Sequence, residues 1–529
     1  MNRFLYKANK KVSFGGATTM LIVVALVGQL LGFFRNRLIS ANFTRLDPGS
    51  TDAYFAAFQI PDFFFLTIAA GALGVAVLPF LADRLEKGDR KTVWETISGL
   101  LNLLSVVMLV VAVIVFAFAR PLLHYVVAPK LDPHQLDQAT TIMRIIALNP
   151  LLFTLSGLIT SVQQAFGRFF FFAVAPLFYN ISIIISVYVF KDNLGIVGLG
   201  FGAFAGAFVQ LLIATLGLWG LGFKWIPKVS IKVGDIKPIL QRLPARSIDQ
   251  GIDSINSIVE TNRATLLGKG PVSYYNFATT LMNVPVMLFG TAISTVAFPR
   301  LTERLAQGRP DLFHKEFFKV LRLMFWIAMP IVVISYFTRG YLARLLFGDV
   351  APEVALIFGY LTIAILFRII YSIVSRYFYA QKDTKTPLFV SLFAIGLNIV
   401  LVVKLAHPEV YGIAGLALAQ SITAAVEVVL LFGIMFIRDR YLLNREFWGS
   451  ILKVISVTGF SVIGAFIMVS LLPLEITDRG LVTLGVKFTA IASGTMLIHV
   501  LMSYLFGLDE PRPVFRKLRQ IIFKPIRIQ

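Results

Sequence analysis

The chain has 529 residues, 57% hydrophobic and 15% charged, with a mean hydropathy of +0.79. That composition excludes a water-soluble globular domain. The formal net charge of +21 sits in short connectors between apolar runs rather than on one basic face, so nucleic acid is not the expected partner. There is no cysteine, and His124, His134, His314, His407 and His499 lack ligand spacing, which argues against disulfides, a metal site and a metalloenzyme.

In chain order, the basic start MNRFLYKANKKVSFGG leads into an apolar run with no small-residue cleavage site, so it reads as a retained first span. Apolar stretches of about 20 residues predict helices near 17–34, 54–81, 94–119, 139–163, 169–190, 196–222, 244–267, 273–297, 317–337, 354–379, 386–405, 411–436, 451–472 and 483–506. The expected fold is all-α and integral to the membrane, with about fourteen transmembrane helices. Alternate connectors carry roughly thirty and roughly ten Lys and Arg, which predicts cytoplasmic termini. The seventh span is polar, but Arg246, Asp249, Asp253, Asn256, Glu260 and Arg263 recur in steps of three and four, on one helical face that must look into protein or water.

An internal repeat organises these spans. PFLADRL from Pro79 matches PRLTERL from Pro299, GIVGL from Gly195 matches GIAGL from Gly412, and LLFTLSGLITS from Leu151 lines up with ILFRIIYSIVS from Ile365, all at about 215–220 residues. Six spans is an even number, so both copies enter from the same side, predicting two six-helix bundles in a parallel pseudo-twofold repeat with a midplane cavity. The expected divisions are residues 1–222, 223–436 and 437–529, the last holding two extra helices and a basic cytoplasmic tail.

No GxxxxGK[ST] loop is present and no nucleophile, base and orienter set stands out, so neither ATP hydrolysis nor another catalytic activity is expected. Charges at membrane depth are costly and are the functional candidates. Arg35 ends the first span with Gly28 and Gly32 on its face, spaced for close packing or ligand approach; snorkelling to the interface is the plain alternative for Arg35 and for Arg37. Glu260 with Arg263, and Arg246 with Asp249, are spaced to neutralise each other. Asp52, in STDAYF, stands where a helix N-cap would be, and Asp62 follows on the same span. Arg368 and Arg376 in the tenth span suit an anion or the lipid headgroups.

STDAYFAAFQIPDFFF, GALGVAVLPFLADRL, GRFFFFAVAPLFYNISIII, GTAISTVAFPRLTERL and, most specifically, RYFYAQKDTKTPL resemble the MurJ (MviN) lipid II flippases of the multidrug/oligosaccharidyl-lipid/polysaccharide exporter superfamily. The resemblance implies two six-helix bundles, a lipid-binding groove from the last two helices, and movement of an undecaprenyl-pyrophosphate-linked peptidoglycan precursor from the cytoplasmic to the periplasmic leaflet of the bacterial inner membrane. Expected partners are that lipid-linked precursor, membrane lipids and cell-wall synthesis proteins. A diphosphate carries about two negative charges and needs cations along a hydrated path, for which arginine forks suit better than lysines.

Transferred residue by residue, the resemblance makes Arg35 and Asp52 substrate-binding. Gln29, Asn36, Phe65, Ala70 and Thr280 stand where members commonly carry an arginine or an acid. Either Arg246, Arg263 and Arg368 rebuild the anion site, or the headgroup is not standard lipid II. The set expected around the substrate is therefore Arg35, Gln29, Asp52, Arg246, Arg263, Thr280 and Arg368. Gly28, Gly32, Arg376, Asp383, Lys385, Thr386 and Pro387 form a structural or gating set. Glu260 and Asn398 fall near a sodium site of some members, so a monovalent cation or the membrane potential is the expected energy source, with no cofactor. A flippase for another polyprenyl-linked oligosaccharide and a transport-dead membrane scaffold are the alternatives.

Overall fold

The computed structural model describes residue 9 and residues 14–70, 77–227, 236–439 and 445–512; at 14, 15, 17–19, 22, 69, 70, 79, 236–250, 349, 445 and 446 it describes the backbone alone. The described residues are mostly helical, with no strand among them. Helices α1 (Phe14–Ile39), α2 (Pro48–Phe64), α3 (Leu78–Glu86), α4 (Arg90–Leu122), α5 (Pro133–Ile145), α6 (Asn149–Ala165), α7 (Phe170–Phe190), α8 (Val197–Leu216) and α9 (Ile236–Thr265) belong to a first compact unit, Met1–Ser273. The second unit, Tyr274–Gln529, takes most of α10 (Pro271–Pro285), then α11 (Ala292–Ala306), α12 (Pro310–Phe337), α13 (Arg339–Phe347), α14 (Ala351–Ala380), α15 (Lys385–Leu405), α16 (Ala414–Arg438), α17 (Arg445–Leu471) and α18 (Leu481–Leu505). The division falls after the expected seventh span, whose helix α9 packs on α2.

Twelve helices among the described residues are long and apolar enough to cross a membrane. They coincide with twelve of the fourteen expected spans. The other two, the second and the seventh, are helical as α2 and α9 but fall outside the twelve. Polarity is the reason for α9, which carries six charged residues between Arg242 and Arg263, while residues 71–76 of the second span lie outside the described residues. Helices suit this environment because each satisfies its backbone hydrogen bonds internally, leaving apolar side chains such as Val113, Phe389 and Phe466 to face outward.

Helix α7 packs closely on α8 because the α8 face is glycine-rich. A Cβ at Gly202 would lie 2.1 Å from Ser186 Oγ, so no larger residue fits there. The final pair is joined by Ser461 Oγ and His499 Nδ1, 2.8 Å apart, and tied to α12 by Trp326 Nε1, which donates to Ser503 Oγ at 2.8 Å.

The repeat is visible in backbone detail. Helix α2 passes into a π-helical turn at Phe65–Ala70, and α10 into one at Val286–Thr291, about 220 residues apart. Gly195 and Gly412 both adopt left-handed φ, of 57° and 52°, at the start of GIVGL and GIAGL. Helix α6 ends at Gly167 with φ 72°, and α14 ends in the same way at Lys382 with φ 62°. In both turns the amide one residue further on donates back to the helix: Arg168 to Gln163 and Asp383 to Phe378. Lys382 is the one non-glycine residue with left-handed φ among the described residues.

Candidate functional site

In the first unit, α1 delivers Arg35 to a set of amide oxygens. Its Nε and Nη2 donate to Asn36 Oδ1, each at 3.2 Å, and Nη1 donates to Asn180 Oδ1 on α7 at 3.0 Å. Both partners are neutral, so the guanidinium is oriented while its charge stays uncompensated by either. An arginine oriented by neutral partners on an apolar span suits an anion. Asn36, which the family pattern marks as a replaced acid, is thus the group that holds Arg35. Asn180 was not among the expected residues, because nothing local in FYNISIII points 145 residues back.

Of the two glycines beside Arg35, Gly28 makes the closer approach: a Cβ there would touch Leu177 at 3.4 Å, whereas at Gly32 it would meet open space. Gln29 is half-buried on the same helix.

Asp52 is 1% exposed. The N-cap of its own helix is Asp47, whose Oδ1 accepts from the Gly49 amide at 3.1 Å. Asp52 lies one turn inside and caps a different helix. Its Oδ2 accepts from the Gly270 amide at 2.6 Å, and its Oδ1 from the Ser273 amide at 2.8 Å and the Ser273 hydroxyl at 2.6 Å. The carboxylate therefore satisfies donors at the start of α10 that the helix leaves open.

The polar stripe of α9 is partly described. Arg246 and Asp249 lie on its backbone, and their side chains fall outside the described residues. Glu260 accepts from Asn256 Nδ2 at 3.1 Å, Ser257 Oγ donates to Gln59 on α2 at 3.0 Å, and Arg263 is half-buried near the helix end. Asn262 then donates to the Val126 carbonyl at 2.8 Å.

In the second unit Arg368 does not stand alone. Its Nη1 lies 3.3 Å from Glu427 Oε2 on α16, and Glu427 Oε1 accepts from Ser391 Oγ on α15 at 2.7 Å. Glu427 was missed by the sequence reading, although a lone carboxylate in AAVEVVLLF is itself a signal of function at membrane depth. Arg376 stacks its guanidinium over Phe298, 5.0 Å from the ring centre, a cation–π contact that keeps it against protein. Thr280 donates to the Asn276 carbonyl of its own helix at 2.8 Å. Asn398 is buried and accepts from Thr423 Oγ1 at 3.3 Å.

The DTKTP segment makes a helix cap. Asp383 accepts from the Lys385 amide at 3.1 Å, the Thr386 amide at 3.0 Å and the Thr386 hydroxyl at 2.7 Å. Arg438, at the end of α16, donates to Asp383 at 2.6 Å and to Thr386 Oγ1 at 2.7 Å, tying three helix ends together above buried Pro387. Partial burial raises the Asp383 carboxyl, but the hydrogen bonds from Thr386 and Arg438 outweigh it and hold it at about 2.

A helical chain with many apolar spans and oriented charges on them has the architecture of a multi-pass membrane protein. The comparisons bear on which one. A solved lipid II flippase MurJ in an inward closed conformation superposes with a TM-score of 0.76 at 20% identity, covering 94% of this chain and 99% of that one. An inward-facing multidrug resistance MATE family transporter of the MOP superfamily superposes with a TM-score of 0.63 at 14% identity, covering 80% and 98%. In sequence, a probable lipid II flippase MurJ of Buchnera aphidicola subsp. Acyrthosiphon pisum is 26% identical over 464 residues, covering 85% of this chain and 89% of the relative. The family model for lipid II flippase MurJ matches residues 49–506, and the chain belongs to that family. It is accordingly a multi-pass membrane protein of a transporter family.

Proposed function

We propose that the chain moves lipid II, the undecaprenyl-pyrophosphate-linked peptidoglycan precursor, from the cytoplasmic to the periplasmic leaflet of the inner membrane by alternating access, and that it is not an enzyme. Arg35 carries this reading: a guanidinium held in place by two neutral amide oxygens offers its charge to a diphosphate without first breaking an ion pair. The prenyl tail stays in lipid while the headgroup passes. Both termini are cytoplasmic in this reading, as the connector charges require, and cell-wall synthesis proteins are its natural neighbours.

No nucleotide-binding segment is needed, because moving one charge through the membrane potential yields about 2.3 kcal/mol per 100 mV. A coupling cation is the other energy source in this reading, with Glu260 on α9 of the first unit as its candidate ligand.

Depletion of the protein should leave the lipid-linked precursor trapped on the inner leaflet, measured by its accessibility to an externally added enzyme. Normal precursor turnover in depleted cells overturns the reading. Complementation of a strain lacking its lipid II flippase separates this substrate from other polyprenyl-linked oligosaccharides.

A further inference from the structure

Glu427 is a buried carboxylate for which the transport reading has no use. It lies midway along α16, and two neighbouring helices face it with polar groups. From α14 come Arg368 and Tyr371, and from α15 comes Ser391, whose hydroxyl also meets the Tyr371 hydroxyl at 3.1 Å. The ion pair is lopsided: the side chain of Glu427 is 5% exposed, that of Arg368 35%. Its contact is a single one, from Nη1 at 3.3 Å rather than a two-pronged fork. One end of the pair is sealed, and the other is partly exposed.

We propose that Arg368 is an exchange residue: an anionic diphosphate headgroup draws it away from Glu427, and Glu427 takes up one proton in return. The identity of the anion rests on the reading above; the exchange itself rests on the pair. Removing one partner of a buried ion pair leaves an uncompensated charge that costs several kcal/mol. Here the charge left behind is a carboxylate, and protonation cancels it. The proton comes from water and joins a carboxylate oxygen, while Ser391 remains within hydrogen-bond distance of the acid. When the headgroup leaves, Arg368 returns, the O–H bond breaks and the proton goes back to water. Loading the diphosphate thus brings one proton with it and makes the loaded state less negative by one charge.

The test is calorimetric titration of the purified full-length protein in lipid nanodiscs with undecaprenyl pyrophosphate, in buffers of different ionisation enthalpy, which counts protons taken up per ligand. The wild type should take up about one proton more than Glu427→Gln, and its affinity should fall as the pH rises, by up to about tenfold per pH unit, a slope that the variant loses. Equal proton numbers in the two proteins overturn the exchange. Inorganic pyrophosphate is the second probe. The same proton difference with it, in a protein that ignores the lipid, supports the exchange and overturns the lipid reading; binding of neither probe overturns both. Should Glu427→Gln fold poorly, the Arg368→Gln/Glu427→Gln double variant, which leaves no buried charge at this pair, must also lose the proton difference.

Discussion

Asp52 Oδ1 accepts both the amide and the hydroxyl of Ser273, at 2.8 and 2.6 Å, so a carboxylate on α2 closes the first turn of α10. The contact explains why an acid sits fully buried at this place: Oδ2 takes the Gly270 amide as well, so both carboxyl oxygens are satisfied.

Replacing Asp52 with Ala strands the Gly270 and Ser273 amides in a buried place, which should cost about 3 kcal/mol. Ser273→Ala removes one donor and should cost about 1 kcal/mol. Thermal unfolding in detergent checks both. If Asp52→Ala melts like the wild type yet fails to support growth, the acid acts on substrate and not as a cap.

Arg35→Gln removes the oriented charge and should weaken binding of a diphosphate lipid by at least about tenfold, at unchanged melting temperature. Asn180→Leu leaves the charge but frees Nη1 of its partner, so a smaller loss is expected. Equilibrium binding to nanodiscs, read against the salt concentration, separates the two: the Arg35 variant alone shows a weaker salt dependence.

The DTKTP cap carries a pH signature. The Asp383 carboxyl titrates at about 2 when folded, against 3.8 as its ordinary value, so its stabilisation is complete above pH 3.8 and is lost as the pH falls toward 2. Solvent screens part of it, leaving about 1 kcal/mol. Asp383→Asn should remove that acid-side slope and lower stability at neutral pH, and Arg438→Ala should lower it less. Unfolding midpoints between pH 3 and 7 test the sign.

Lys382 holds left-handed φ where the first repeat has Gly167. A side chain pays for that conformation in steric strain, so Lys382→Gly should stabilise the protein by roughly 0.5–1 kcal/mol. A melting temperature equal to or below that of the wild type rejects this.

Reading along the chain was enough for twelve of the fourteen expected spans and for the duplication. Whether about 20 residues are apolar enough to enter a membrane depends on those residues alone, and the glycines of GIVGL and GIAGL announce themselves by sequence. The charged residues worth attention were legible too, since any ionised group at membrane depth stands out. Their partners were not. Nothing near Asp52 indicates Ser273, nothing near Arg35 indicates Asn180, and Arg368 read alone is a free cation until α16 brings Glu427 beside it. A charge is a property of one residue, but what neutralises, orients or caps it is set by helices packed from distant parts of the chain, and only the tertiary structure decides that.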